Sequence, residues 1–253
     1  MNPRFVYPHK LIAHRGGGTL APENTLAAIR EGHARGYRAV EFDVMLAREN
    51  VPVLMHDDTI ERTTNGRGAL PDFTAQQLAA LDAGSWRDAR FAGEPVPQFE
   101  AAAQLCVALG MFANIEIKPY AHGKAAVARA VAHDTGRLTA LVAQRFWRNR
   151  PGEALLSSFS GASLEAARAA APDFPRAYLF DTIPDDWQQR LEALDCVALH
   201  CNGKTLTAER AATIKGAGFG LMCWTVNDPA EAATLFAWGV DAICTDRLDL
   251  FKP

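Results

Sequence analysis

The 253-residue chain is short of net charge: 26 lysines and arginines against 29 aspartates and glutamates leave −3. That balance gives no basic field for a nucleic acid, so no nucleic-acid partner is expected. No stretch is long and apolar enough to span a bilayer, so no stable membrane insertion is expected. Residues 1–10 lack the charged-then-apolar order of a signal peptide, and the expected location is cytoplasmic. Cysteine is sparse and odd in number, and Cys106, Cys196, Cys201, Cys223 and Cys244 include no CxxC pair. Most of them sit inside apolar runs, so they read as buried, reduced thiols, not as disulfides or zinc ligands. No Gly-x-Gly-x-x-Gly opens the first helical stretch, which argues against an open dinucleotide-binding sheet.

What is present is an alternation. Apolar strand-like runs occupy 11–13, 39–44, 112–117, 155–158, 177–180, 197–201, 220–226 and 242–245. Alanine-rich helical patterns lie between them, at 25–35, 99–109, 124–134, 161–171, 208–215 and 229–237. Strand and helix in alternation imply a parallel sheet. Eight strands in a chain of this length, with 49% hydrophobic residues, imply an α/β fold of the (β/α)8 TIM-barrel class, a single domain over 1–253. Asn24 is expected to cap the first helix and Gly36 to end it, and Pro229 suits the first turn of the last long helix. One segment breaks the rhythm. From His56 to Pro97 the chain is polar and rich in Gly, Thr and Asp, so 57–97 is expected to be an insertion over the barrel mouth, after the second strand.

Polar residues suited to phosphate chemistry end the early strands. His14-Arg15-Gly16 follows the first run, and Glu41-Phe42-Asp43 leads toward His56-Asp57. The link 45–52 is too short for a helical crossover, so 40–44 and 53–56 read as a hairpin turning near Glu49-Asn50. A two-residue turn there pairs Met45 with Leu54 and Asp43 with His56, on the face that also carries Glu41. Glu116 and Lys118 alternate with Ile115 and Ile117 and should point into the barrel. Three inward carboxylates repel one another, a conflict that a divalent cation removes. An all-oxygen set suits Mg²⁺, Ca²⁺ or Mn²⁺ better than zinc.

These residues carry a resemblance. His14-Arg15-Gly16, Pro22-Glu23-Asn24-Thr25, Glu41-Phe42-Asp43-Val44, the segment 52–57, Arg62-Thr63-Thr64 and Leu81-Asp82-Ala83-Gly84 stand in order. The segment 114–118, Ser157-Ser158-Phe159, Trp224-Thr225-Val226-Asn227 and Thr245-Asp246-Arg247 follow. The ordered set, over nearly the whole chain, resembles the bacterial glycerophosphodiester phosphodiesterase family, a phospholipase-C-like barrel with a small insertion after the second strand. Two departures touch no candidate site residue: Pro97-Gln98-Phe99-Glu100 closes the insertion, and no proline follows Arg247.

The resemblance implies hydrolysis of a small-molecule glycerophosphodiester to glycerol 3-phosphate and an alcohol. It implies one divalent cation, Mg²⁺ or Ca²⁺, held by Glu41, Asp43 and Glu116. His14 and His56 become the general acid and base, and Arg15 and Lys118 the phosphate contacts, with Trp224 walling the glycerol side. Attack by the substrate's own hydroxyl, through a cyclic phosphate, and attack by water use the same residues. Asp57 reads as an orienter of His56 or as a turn residue, and Asp246 is left outside the site for the same ambiguity. His9, His33, His122, His133 and His200 have no partner pattern. Three alternatives stand beside this reading. A lysophospholipase D on the same scaffold would need an apolar mouth, to which the insertion offers Trp86, Phe91 and Phe99. A non-catalytic phosphodiester-binding barrel would be expected to have lost a catalytic group. A metal-dependent sugar isomerase would leave Arg15 beside His14 without a task.

Overall fold

Strand β2 shows how the sequence builds the barrel. Over Ala39–Leu46 every residue is buried, as expected for a parallel strand covered on both faces. Val40, Phe42 and Val44 pack outward with Phe99, Cys106, Trp147 and other helix residues. The alternate positions, Glu41 and Asp43 among them, face the barrel axis.

The computed structural model describes residues 5–120, 125–150 and 152–253; His122 and Lys124 lie outside the described residues. The strands are β1 (Leu11–Ala13), β2, β3 (Pro52–Leu54), β4 (Phe112–Ile117), β5 (Ala154–Ser158), β6 (Arg176–Phe180), β7 (Ala198–Asn202), β8 (Gly220–Trp224) and β9 (Ala242–Thr245). The helices are α1 (Leu26–Ala34), α2 (Ala75–Ala79), α3 (Phe99–Leu109), α4 (Ala125–Trp147), α5 (Gly161–Ala170), α6 (Trp187–Ala193), α7 (Ala208–Gly216) and α8 (Pro229–Ala237). Eight parallel strands follow the order β1-β9-β8-β7-β6-β5-β4-β2, and β1 pairs with β2 to close the ring. The fold is therefore a TIM barrel. β3 stands outside that ring as an antiparallel arm on β2. Residues after β3 form the expected insertion, with α2 and three-residue helical turns at Leu70–Asp72 and Ala89–Phe91. A separate core of Met45, Val53, Ile60, Leu70, Leu78 and Val96 holds the insertion to the β2–β3 arm.

Three expectations change in detail. Thr25, not Asn24, caps α1 by accepting from the Ala28 N–H. Gly36 does follow the helix in the left-handed region, at φ 94°. The sequence pattern at 124–134 belongs to a helix that runs on to Trp147, because Ala140, Ala143 and Trp147 continue its buried stripe. α6 joins the six helical patterns read from sequence.

The barrel interior is apolar at its floor, where Tyr7, Ile12, Ala39, Phe112, Leu155, Ala177 and Ala198 cluster. His200 sits fully buried there, with Nε2 2.6 Å from the Tyr7 hydroxyl, and burial pushes its imidazole down to about 3. It is a neutral core residue. All five cysteines are buried and free. Among the described residues no helix is long and apolar enough to cross a membrane.

Close packing fixes the loop after β1. A Cβ on Gly32 of α1 would stand 2.4 Å from the Gly16 carbonyl oxygen, a backbone atom that cannot swing away. Gly32→Ala must therefore push α1 off the His14-Arg15-Gly16 loop. Overpacking of this kind costs about 1–3 kcal/mol. Urea unfolding should show that loss, with a matching fall in turnover; parental stability would contradict the packing argument.

Candidate active site

At the carboxyl ends of the strands lies a cavity of about 130 Å³. His14, Arg15, Glu41, Asp43, His56, Asn114, Glu116 and Lys118 line its polar side. Phe159, Leu179, Met222, Trp224 and Cys244 line the other. Every residue singled out from sequence as catalytic, metal-binding or substrate-binding thus meets in one place. In a TIM barrel this end of the strands is where active sites form.

Register sets the carboxylates. Asp43 pairs with Glu116 across the β2–β4 ladder, and Glu41 with Asn114. Neighbours in a parallel ladder share a face, so four polar groups converge. Ligand oxygens of Glu41, Asp43 and Glu116 lie within 4.8 Å of one another. Burial and the charge of Asp43 push the Glu116 carboxyl up to about 8. Burial, then Asp43 and Glu116, push Glu41 well above its usual range. Burial also opposes ionisation of Asp43, but Arg15, Lys118 and His56 outweigh it and hold that carboxyl low. Arg15 Nε is 3.6 Å and Lys118 Nζ 3.9 Å from Asp43.

This donor set fits a hard divalent cation. The three groups supply only oxygen, they are too close to ionise together without a positive charge, and the buried Asn114 Oδ1 has no partner among the described residues. A second cluster, His14, Glu41 and Cys244, shares Glu41. Burial raises the Cys244 thiol well above its usual range, and a protonated thiol is a poor ligand.

His56 arrives by a different route from the one the sequence suggests. The observed pairs are Val44–Leu54, Met45–Val53 and Leu46–Pro52, one residue off the expected register. The turn has three residues, not two: Ala47 N–H donates to Val51 O, and Asn50 takes the left-handed conformation at φ 62°. Asp43 therefore opposes Met55, whose N–H donates to the Asp43 carbonyl at 3.2 Å. A ladder extended in that register would send His56 to the wrong face. The chain instead leaves the strand after Leu54, and the bend at His56-Asp57 returns the imidazole to the cavity.

Both histidines are held by a carboxylate at Nδ1. Asp246 Oδ1 is 2.6 Å from His14 Nδ1, and Asp57 Oδ1 is 2.5 Å from His56 Nδ1. Burial raises Asp57, but hydrogen bonds from Arg62 and His56 bring it down to about 2. Asp246 is likewise held low by His14 and Asn227 against its burial. Ionised carboxylates only accept, so each neutral ring carries its proton on Nδ1 and keeps the Nε2 lone pair. His14 Nε2 lies 3.8 Å from Glu41 Oε2. Burial lowers the His56 pKa, with Arg15 and Lys118 adding to that effect and Asp43 opposing it.

Several residues here escape a reading of local pattern. Asp246, set aside as ambiguous, orients His14 from 232 positions away. Asn24, expected as a cap, is buried and donates from Nδ2 to Asp43 Oδ2 at 2.8 Å, while its Oδ1 accepts from Asp43 N–H. Arg15 and Asn24 both adopt positive φ, 50° and 57°, a conformation rare outside glycine. Arg15 N–H donating to Glu41 and Asn24 N–H donating to the Arg15 carbonyl hold the loop there. Gly18 (φ 54°) lets the loop touch the Asp246 carbonyl, which a Cβ would meet at 2.1 Å. Trp224 packs edge-on against Phe159, with centroids 5.4 Å apart, as one wall. Phe99 belongs to the core beneath α3 rather than to the mouth, and only Trp86 of the insertion's aromatics reaches a neighbouring cavity of about 450 Å³.

The glycerophosphoryl diester phosphodiesterase family model matches residues 14–250. YhdW of Bacillus subtilis is 33% identical over 245 residues, 94% of this chain and 95% of that protein. A glycerophosphodiester phosphodiesterase of Caldanaerobacter subterraneus is 30% identical over 237 residues, 93% of each chain. The structure of an Oleispira antarctica phosphodiesterase in complex with its product sn-glycerol-3-phosphate superposes with a TM-score of 0.87 at 35% identity, covering 94% of this chain and 93% of that one. The chain belongs to the glycerophosphoryl diester phosphodiesterase family.

Proposed function

We propose that this phosphodiesterase hydrolyses glycerophosphodiesters to glycerol 3-phosphate and an alcohol, at a divalent cation held by Glu41, Asp43 and Glu116, with His14 and His56 as its acid–base pair. The observation that carries the reading is the convergence of three carboxylates, two of them buried and one half-buried, two carboxylate-anchored histidines and two cations on one small cavity. The Oleispira relative, solved with sn-glycerol-3-phosphate, supports the product.

The cation would supply Lewis acidity toward the phosphate and the attacking oxygen. Arg15 and Lys118 sit beside the carboxylates where they can meet the charge that builds on the phosphoryl oxygens, Arg15 through its planar fork. The Nε2 atoms of His14 and His56 remain to take a proton from the attacking oxygen and to give one to the leaving alcohol. Trp224 and Phe159 close the apolar side, suited to the carbon face of glycerol. Of the exposed large hydrophobic residues among the described ones, only Phe159 and Trp86 line the two mouth cavities. So little apolar surface favours a water-soluble diester over a lysophospholipid, and glycerophosphocholine should be turned over faster than lysophosphatidylcholine.

EDTA should abolish phosphate-diester cleavage, and added Mg²⁺ or Ca²⁺ should restore it; full activity in EDTA would refute the cation. Its effect on stability has a sign. Glu116 titrates near 8 in the cation-free fold against an ordinary 4.5, so its ionisation opposes folding. That penalty is absent below the ordinary value and grows as pH rises toward 8. A bound cation removes it, so the rise in Tm on adding cation should be larger at pH 8 than at pH 6. At a hundredfold excess over Kd, binding is worth about 2.7 kcal/mol, or about 5–11 °C for a chain near this size. An equal or reversed pH trend would contradict the assignment.

His14→Ala and His56→Ala should each lower turnover of glycerophosphocholine by about 10²–10⁴-fold. With a p-nitrophenyl leaving group, which needs no proton, one variant should recover most of its loss and the other should not. Equal losses on both substrates would refute the division into acid and base.

A further inference from the structure

Arg62 lies in the insertion, is nearly half exposed and does not line the main cavity, yet it spans both halves of the site. Its Nη1 and Nη2 donate to the two Glu23 oxygens at 2.7 and 2.8 Å, and its Nε donates to Asp57 Oδ2. Glu23 Oε1 also accepts from Arg15 Nη1 at 2.7 Å. Asp57 Oδ1 meets His56 Nδ1 at 2.5 Å. A continuous chain therefore runs from Arg15 through Glu23, Arg62 and Asp57 to His56.

An exposed ion pair is ordinarily worth little. This one differs in its acceptors. Glu23 is largely buried, with a side chain 13% exposed, and both carboxylates are bonded on their other side to a group that lines the main cavity, Arg15 or His56. Three of the five guanidinium donors are engaged in one plane, a fork that lysine cannot reproduce. Without it, Asp57 keeps only its neighbour His56 among these bonds, and Glu23 keeps only Arg15.

We propose that Arg62 is a positioning residue that fixes His56 and Arg15 relative to each other, acting through Asp57 and Glu23. The inference rests on the roles of His56 and Arg15 given under Proposed function. It makes the insertion part of the reaction geometry: the segment after β3 holds the His56 ring in its Nδ1–H tautomer and steadies the Arg15 fork. Removing a residue that orients a ligand or catalytic group through a hydrogen bond costs about 10–100-fold in activity.

The test uses the full chain with Mg²⁺ present and two variants, Arg62→Ala and Arg62→Lys. Turnover of glycerophosphocholine is measured beside the imidazole ¹⁵N–¹H spectrum, in which His56 is assigned by its disappearance in His56→Asn. Both variants should lose about 10–100-fold in kcat/KM, and the His56 signals should shift from Nδ1–H toward a tautomer mixture. A loss of packing alone would lower Tm without moving the tautomer. Parental kcat/KM in Arg62→Lys, or lost activity with the His56 tautomer unchanged, would overturn the proposal. Should Arg62→Ala not fold, Arg62→Lys decides by the same two readouts. If the parent protein cleaves no glycerophosphodiester, the functional reading fails, while the tautomer spectrum still reports whether Arg62 orients His56.

Discussion

The structure turns on charge at the barrel mouth. Glu41 and Asp43, both buried, and the half-buried Glu116 come from adjacent strands, and their ligand oxygens lie within 4.8 Å of one another. Burial and repulsion from neighbouring carboxylates resist ionisation of Glu41 and Glu116, where the nearby cations offset only part of that resistance, whereas at Asp43 Arg15, Lys118 and His56 outweigh burial. A site in this condition is poised for added positive charge. Much of the neighbouring architecture serves to keep it so, from the double hydrogen bond of Asn24 on Asp43 to the loop that brings Arg15 N–H onto Glu41.

The barrel makes that arrangement affordable by separating two environments along its axis. Its floor is filled by small and aromatic apolar side chains around Tyr7 and a neutral His200. Only the upper layer is polar, and there each charged group has a neighbour of opposite sign or a hydrogen bond. The two histidines are built alike from distant parts of the chain. Each places Nδ1 on an ionised aspartate and leaves Nε2 to the cavity side, one anchored through the loop after β9 and the other through the start of the insertion.

Much of the fold and site is legible in the sequence. The eight runs read as strands are the eight barrel strands, because burial on both faces leaves a continuous apolar signature that short polar loops interrupt. Glu116 and Lys118 stand out because charges alternating with isoleucine must face somewhere, and a barrel leaves only its interior. The hairpin shows where such reasoning stops. Asn50 in a left-handed turn adds a residue to the loop and shifts the ladder by one, which should have pointed His56 away. His56 reaches the site because the chain leaves the strand after Leu54 and bends at His56-Asp57, with Met55 packed into the insertion core.

The barrel, its insertion and the residue types at the strand ends can be read along the chain, since strand period and apolar runs are local properties. How those residues are held depends on contacts that exist in the folded barrel alone. Asp246 is 232 positions from His14, Arg62 is 39 from Glu23, and Asn24 is 19 from Asp43. No local pattern encodes such pairs, because they exist only where closure of the sheet and docking of the insertion bring separate loops within hydrogen-bond distance.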